Sequence, residues 1–200
     1  MSVDDNPDAA EAVYASLTNS VRRLVDATIR SQVDLATIAS VQQKIDAAAD
    51  ELCAALMPGS FGLPETSDGR TLTWGNAVIG VRNAFAPPLS VHHRSDGSVW
   101  TDVTLGAAYE GPAGHVHGGV CALILDHVLG AAAHKPGHPA VTGTLSVRYE
   151  AGTPLGPVHA EAHIDRVDGV KTIVVGALAT SQGISVRAEG IFFHPPAAAR

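Results

Sequence analysis

The run VCALILDHVLGAAA, from Val120 to Ala133, is apolar around its whole circumference apart from Asp126 and His127. A helix with no polar face cannot lie on a surface and must be enclosed by other elements. Its length and its alanines favour one helix from about Gly118 to Ala133, and the flanking segments say what encloses it. Upstream, LSVHHRS and SVWTDVTL stand on either side of Asp96-Gly97, a dipeptide suited to the positive φ values of a tight hairpin turn. Downstream come VTGTLSVRY, VHAEAHIDRV, VKTIVVGALAT and ISVRAEGIFFH, the last three separated by Asp168-Gly169 and Gln182-Gly183. In the second of these, Val158, Ala160, Ala162 and Ile164 alternate with His159, Glu161, His163 and Asp165, so one face meets a core and the other water. An antiparallel sheet and a single apolar helix bury each other when the sheet curls around the helix. The expected class is α+β.

The N-terminal part has a different character. From Pro7 to Leu56 the apolar residues recur at steps of three and four, with Val13, Leu17, Val21, Leu24, Val25 and Ile29 in one stripe and Leu35, Ile38, Val41, Ile45, Leu52 and Leu56 in another. Two amphipathic helices broken near Ser31 to Asp34 fit this pattern. Met57-Pro58-Gly59 then opens a loop-rich connector with Pro64, Asp68-Gly69, Gly75 and Pro87-Pro88. The expected organisation is a helical extension over 1–60, a connector over 61–88, the sheet domain over 89–194 and a tail over 195–200, PPAAAR, that frays. Trp74, Trp100 and Phe85 read as core or connector packing, and His92-His93 as an exposed strand pair.

A net charge of -7 leaves no basic stripe from which a phosphate backbone could release counterions, so nucleic acid is excluded as the partner. The start MSVDDNPDAA is acidic where a secretory signal would be basic, and no apolar run reaches the length of a membrane span. These features make a cytoplasmic protein the expectation. The two cysteines, Cys53 and Cys121, sit in no metal knuckle and read as buried, reduced thiols.

Two features carry chemistry. His117-Gly118-Gly119 opens the central helix, where the first backbone N–H groups have no internal partner and the helix dipole is positive. Glycine there lets a substrate approach the backbone, which suits an oxyanion hole, although a turn that merely needs glycine would read the same. Asp126 is the second feature, because a carboxylate among Leu and Ile needs either a partner, such as Arg148, a hydroxyl or a backbone donor, or a role as base or nucleophile. His117 and Asp126 are nine residues apart, so on one helix they stand ~13 Å apart along the axis and about half a turn out of phase. They cannot serve one reacting atom within a single chain. Two copies packed with these helices antiparallel would bring the start of one helix to the middle of the other and form two equivalent sites.

HGGVCALILD, lying between a hairpin and a four-strand run, resembles the HGG-x(6)-D signature of the PaaI-like branch of the hotdog-fold acyl-CoA thioesterases, and TGTLSVRYEAGTPLG is similar to the strand that follows the helix there. The resemblance spans about Leu89 to Phe193 and leaves out the N-terminal helices. It implies a hotdog fold, no cofactor and no metal, an acyl-CoA-like thioester as substrate, and a homodimer or dimer of dimers. It implies that Asp126 is the nucleophile or the base that aligns water on the thioester carbonyl, with Gly118 giving the oxyanion N–H and His117 shaping the turn and bonding the substrate. Thr142, or failing it Thr144, would orient the water or the carboxylate from the opposite subunit. Gly119, Thr144 and His115 are expected to contact the substrate. The amide side chain that some members carry before the histidine has no counterpart in EGPAGH.

Other chemistries fit less well. His115, His117, Asp126, His127, His134 and His138 crowd one region, but metallo-hydrolase ligands need H-x-H followed closely by D-H, and here eight residues intervene. His134 and His138 flank Lys135-Pro136-Gly137 and read as a solvated loop. No G-x-S-x-G elbow occurs, which removes the serine hydrolase reading. The other class to weigh is a hotdog module that binds acyl-CoA without cleaving it, and such a module would have no use for Asp126.

Overall fold

Pro7 follows an Asn6 side chain that accepts the Ala9 N–H at 3.0 Å, and Asp34 accepts the Thr37 N–H at 2.8 Å. These two caps start the helices α1 (Pro7–Arg30) and α2 (Leu35–Cys53), and the break between them falls where Ser31 to Asp34 predicted it. The computed structural model describes residues 6–134 and 139–194. Lys135 to His138, expected to lie in a loop, the acidic start and the 195–200 tail, expected to fray, lie outside the described residues. The chain divides into two compact units, Met1–Ala84 and Phe85–Arg200.

In the first unit α1 turns Tyr14 and Thr18 inward rather than its aliphatic stripe. Tyr14 and Phe61 each meet the Trp74 ring at 5.9 Å, and the Arg82 guanidinium lies 3.9 Å from the centre of the Tyr14 ring. Trp74 is thus packing, as expected, together with buried Leu72 and Val78. The two aliphatic stripes remain on the surface: Val13, Leu17, Val21, Val25 and Ile29 on α1, and Leu35, Ile38, Ile45 and Leu52 on α2, are exposed. Cys53 is exposed as well, against the expectation of two buried thiols, because α2 buries none of its residues.

The second unit is the sheet domain. Its strands are β1 (His92–His93), β2 (Val99–Leu105), β3 (Val141–Tyr149), β4 (Gly156–Asp168), β5 (Lys171–Thr180) and β6 (Gly183–Phe193), all antiparallel in the order β1-β2-β4-β5-β6-β3. The central helix α3 (Gly118–Ala133) packs on β2 to β6. Its residues Ile124, Leu125, Val128 and Leu129 are fully enclosed with Val99, Leu105, Ala160, Val174, Leu178, Val186 and Phe192. This is the hotdog arrangement, and it follows from the sequence: Val158, Ala160 and Ala162 face the helix while Glu161 and His163 face out. On the outer face Trp100 stacks between His92 and His159, and His159 Nδ1 stands 2.7 Å from Asp102 Oδ1. Phe85 is exposed.

Small residues let the helix sit close to the sheet. A Cβ on Gly176 of β5 would come within 2.7 Å of Leu129 Cδ1, and one on Gly190 of β6 within 3.1 Å of Leu129 Cδ2. One leucine of α3 therefore occupies the space left by two absent side chains.

Candidate active site

The loop before α3 fixes how the helix begins. A short 3-10 turn, Ala107–Tyr109, leads into a narrow hairpin in which the His117 N–H donates to Tyr109 O and the Gly111 N–H to His115 O, both at 2.9 Å. Gly114 turns that hairpin at φ 72°, a left-handed value that favours glycine, and its N–H donates to the Glu110 carboxylate at 2.6 Å. Gly111 is required for closeness, since a Cβ there would lie 2.7 Å from His117 Cα. The glycines of EGPAGH are thus what holds His117 in place.

His117 caps α3. Its Nδ1 accepts the Gly119 N–H at 3.0 Å, and its carbonyl accepts from Val120 at 2.9 Å and Cys121 at 3.2 Å. An accepting Nδ1 leaves the proton of the neutral ring on Nε2. Of the first four N–H groups of the helix, three are therefore engaged, and among the described residues the Gly118 N–H meets no acceptor. Gly118 and Gly119 are thereby distinguished: the first has a donor to offer a substrate, while the second has committed its own to the cap.

Eight residues further on, Asp126 is half-buried on α3, and the Thr142 hydroxyl donates to its Oδ1 at 3.0 Å. This bond is made within one chain, so Thr142 and Asp126 belong to the same protomer. The geometry has a local cause. Thr142 pairs with Phe192 and Thr144 with Ile191, leaving Gly143 as an extra residue, and a bulge of this kind re-aims the neighbouring side chain. A Cβ on Gly143 would run into the Phe193 ring, so the bulge needs its glycine. Thr144, the fallback, is exposed and does not bond Asp126. Arg148 is not Asp126's partner either; a hydroxyl is.

His115 is half-buried at the rim of a cleft of about 440 Å³ that is also lined by Gly118, Cys121, Tyr149, Gly152 and Thr153. Its ring fits only because Gly152 has no side chain, a Cβ there falling 2.7 Å from His115 Cδ2. The sequence reading missed Tyr149, whose hydroxyl donates to Gly118 O at 2.8 Å and whose ring lies against Gly118. Its only signal was its place at the end of the TGTLSVRY block. The Cys121 thiol, held up by burial above its ordinary value, donates to Thr153 Oγ1 at 3.7 Å, and Thr153 in turn donates to Ser185 at 2.8 Å. It is a packing group rather than a nucleophile. Among the described residues no three His, Cys, Asp or Glu side chains converge as metal ligands would.

An antiparallel sheet around an apolar helix that opens on an unengaged glycine N–H and carries a hydroxyl-held carboxylate at mid-length defines a hotdog domain equipped for acyl chemistry. The family model described as the thioesterase superfamily matches residues 113–187, the stretch that holds Gly118, Asp126 and Thr142. A crystal structure of the thioesterase superfamily protein RHA08564 is 38% identical, with a TM-score of 0.79, covering 90% of this chain and 94% of the other. At that coverage the likeness takes in most of the N-terminal unit as well as the sheet domain. The BH2602 protein of Bacillus halodurans, solved with CoA, is 25% identical, with a TM-score of 0.52, covering 61% of this chain and 82% of its own. The E. coli PaaI protein of the phenylacetic acid degradation operon shares the fold at 14% identity and a TM-score of 0.51, covering 55% and 81%. No curated protein sequence gives a match. The chain belongs to the thioesterase superfamily, and its general chemistry is thioester hydrolysis. No helix among the described residues is long and apolar enough to cross a membrane.

Proposed function

We propose that the chain hydrolyses acyl-CoA-type thioesters in a site shared by two protomers, with Asp126 as the general base. The Thr142–Asp126 hydrogen bond carries this reading, because it gives a half-buried carboxylate a fixed direction without neutralising it. Asp126 draws a proton from water, and the water oxygen adds to the thioester carbonyl carbon. The carbonyl oxygen takes the charge and is met by the Gly118 N–H of the other protomer. Collapse breaks the C–S bond, the leaving thiolate takes the proton that Asp126 drew from water, and the products are a free acid and CoA thiol. The His117 Nε2–H, Gly119 and His115 border the thioester, and Thr144 stands further along the same strand. The 89–194 domain carries the chemistry, with 1–60 as an elaboration, and the reaction belongs in the cytoplasm. Binding of CoA by the Bacillus halodurans relative supports the thiol portion of the substrate.

The two protomers are required by distance: Gly118 and Asp126 lie eight residues apart on one helix, which is ~12 Å along its axis. The test is thiol release from short, medium, long and aromatic acyl-CoAs, with Asp126→Asn alongside. Turnover in the parent and a loss on the order of 10² to 10⁴ in the variant, at unchanged stability, is the expected result. Wild-type rates in Asp126→Asn would reject the base, and acyl-CoA binding without turnover in the parent would point to a binding module.

A further inference from the structure

α2 buries none of its residues and packs along no other element among the described residues. Most helical stability in a protein comes from packing of an amphipathic face, and on α2 only Val41 is as much as half-buried. Its apolar side chains are nevertheless ordered. Ile38, Val41, Ile45, Ala48 and Leu52 recur at steps of three and four in strict alternation, the heptad period that keeps a seam facing one partner helix. The stripe on α1 differs: apart from Leu24 it runs by steps of four through Val13, Leu17, Val21, Val25 and Ile29, so it winds around its helix and offers a less straight seam.

We propose that α2 pairs with α2 of a second copy of this chain, antiparallel, about a two-fold axis passing between Asp46 and Ala47. This placement stacks Ile45 on the partner's Ala48 and Val41 on the partner's Leu52, both layers lying within the helix. The flanking positions decide the direction. Antiparallel pairing sets Lys44 against the partner's Glu51 twice, and both residues lie within the helix. Parallel pairing would set Lys44 against the partner's Ala49 and leave both Lys44 and Glu51 without an opposite charge. A membrane surface is a poor occupant, since Lys44 is outnumbered on the helix by Asp46, Asp50 and Glu51. The interface is isologous and closes on itself.

Cysteine cross-linking of the full chain tests the direction. Val41→Cys and Leu52→Cys are made separately on a Cys53→Ser background and oxidised alone and as an equimolar mixture. Antiparallel pairing predicts a disulfide between the two variants in the mixture and none in either alone. Self-cross-linking of either variant indicates parallel helices and overturns the proposal, as does the absence of any cross-link. A second measurement leaves the seam intact. Lys44→Glu should raise the dissociation constant of the association step by roughly tenfold in sedimentation equilibrium, and adding Glu51→Lys should restore it. A constant that neither change moves would overturn the proposed register.

Discussion

Gly118 stands at a helix start where the following three N–H groups are already engaged, so its own donor can be removed without disturbing the others. Proline does this selectively. It is favoured at the first helical position, and it requires extended backbone in the residue before it, which His117 already has at φ -61° and ψ 133°. A Cβ at this position approaches the Tyr149 ring at 3.3 Å, which asks for a shift of a few tenths of an ångström. Gly118→Pro is therefore expected to fold and to lose on the order of 10² to 10³ in kcat, the cost of one oxyanion donor; a variant with parental kcat would remove Gly118 from that role. Thr142→Val tests the other end of the site. It deletes a hydrogen bond to a charged group, of order 1.5 to 3 kcal/mol, while keeping the branched shape. The expected result is a fall of about ten- to a hundredfold in kcat with little change in KM, and a change confined to KM would make Thr142 a substrate contact instead.

At the scale of the element, α3 and its neighbours explain what could be read in advance. The boundaries Gly118 and Ala133 were legible because an all-round apolar run has only one place to go, and the strand faces were legible because Val158 to Ala162 alternate strictly. The bulge at Gly143 was not: a Thr-Gly-Thr in a strand pattern gives no sign of which threonine turns towards the helix until the Phe193 ring is in place. Tyr149 was hidden for the same reason, since its contact with Gly118 joins residues 31 positions apart. The stripes on α1 and α2 were read correctly as amphipathic, but no periodicity tells whether the cover comes from the same chain. One consequence of the buried helix concerns pH. Burial pushes His127 below its ordinary value of 6.5, against a weaker upward pull from Asp126 beside it. Between that depressed value and 6.5 the unfolded chain binds more protons than the folded one, so this contribution is whole above 6.5 and declines as the pH falls through the window. The midpoint of urea unfolding should drop on acidification below pH 6.5, and His127→Gln should flatten the decline; an unaltered slope would show that His127 stays solvated in the fold.

For the whole molecule, the proposed site has a consequence that a single-chain site does not share. Gly118 and Asp126 of one protomer belong to different sites, so Asp126→Asn and Gly118→Pro each inactivate both sites of a homodimer through different groups. In a mixed dimer one site receives both altered residues and the other receives neither. Unfolding an equimolar mixture and refolding it together should make roughly half of all dimers mixed, each with one intact site, and so return roughly a quarter of the parental turnover. The two variants refolded apart and then combined should stay inactive for as long as subunits do not exchange. If the two groups instead served one site within one chain, every site in every dimer would carry one of the lesions and refolding together would recover nothing. Recovery near a quarter therefore supports a shared site, and turnover that stays at the level of the separate variants would confine catalysis to the protomer. The measurement needs only thiol release from an acyl-CoA that the parent cleaves, and its readout does not depend on the pairing of α2, because every mixed pair formed through α3 holds one intact site whatever larger assembly it joins.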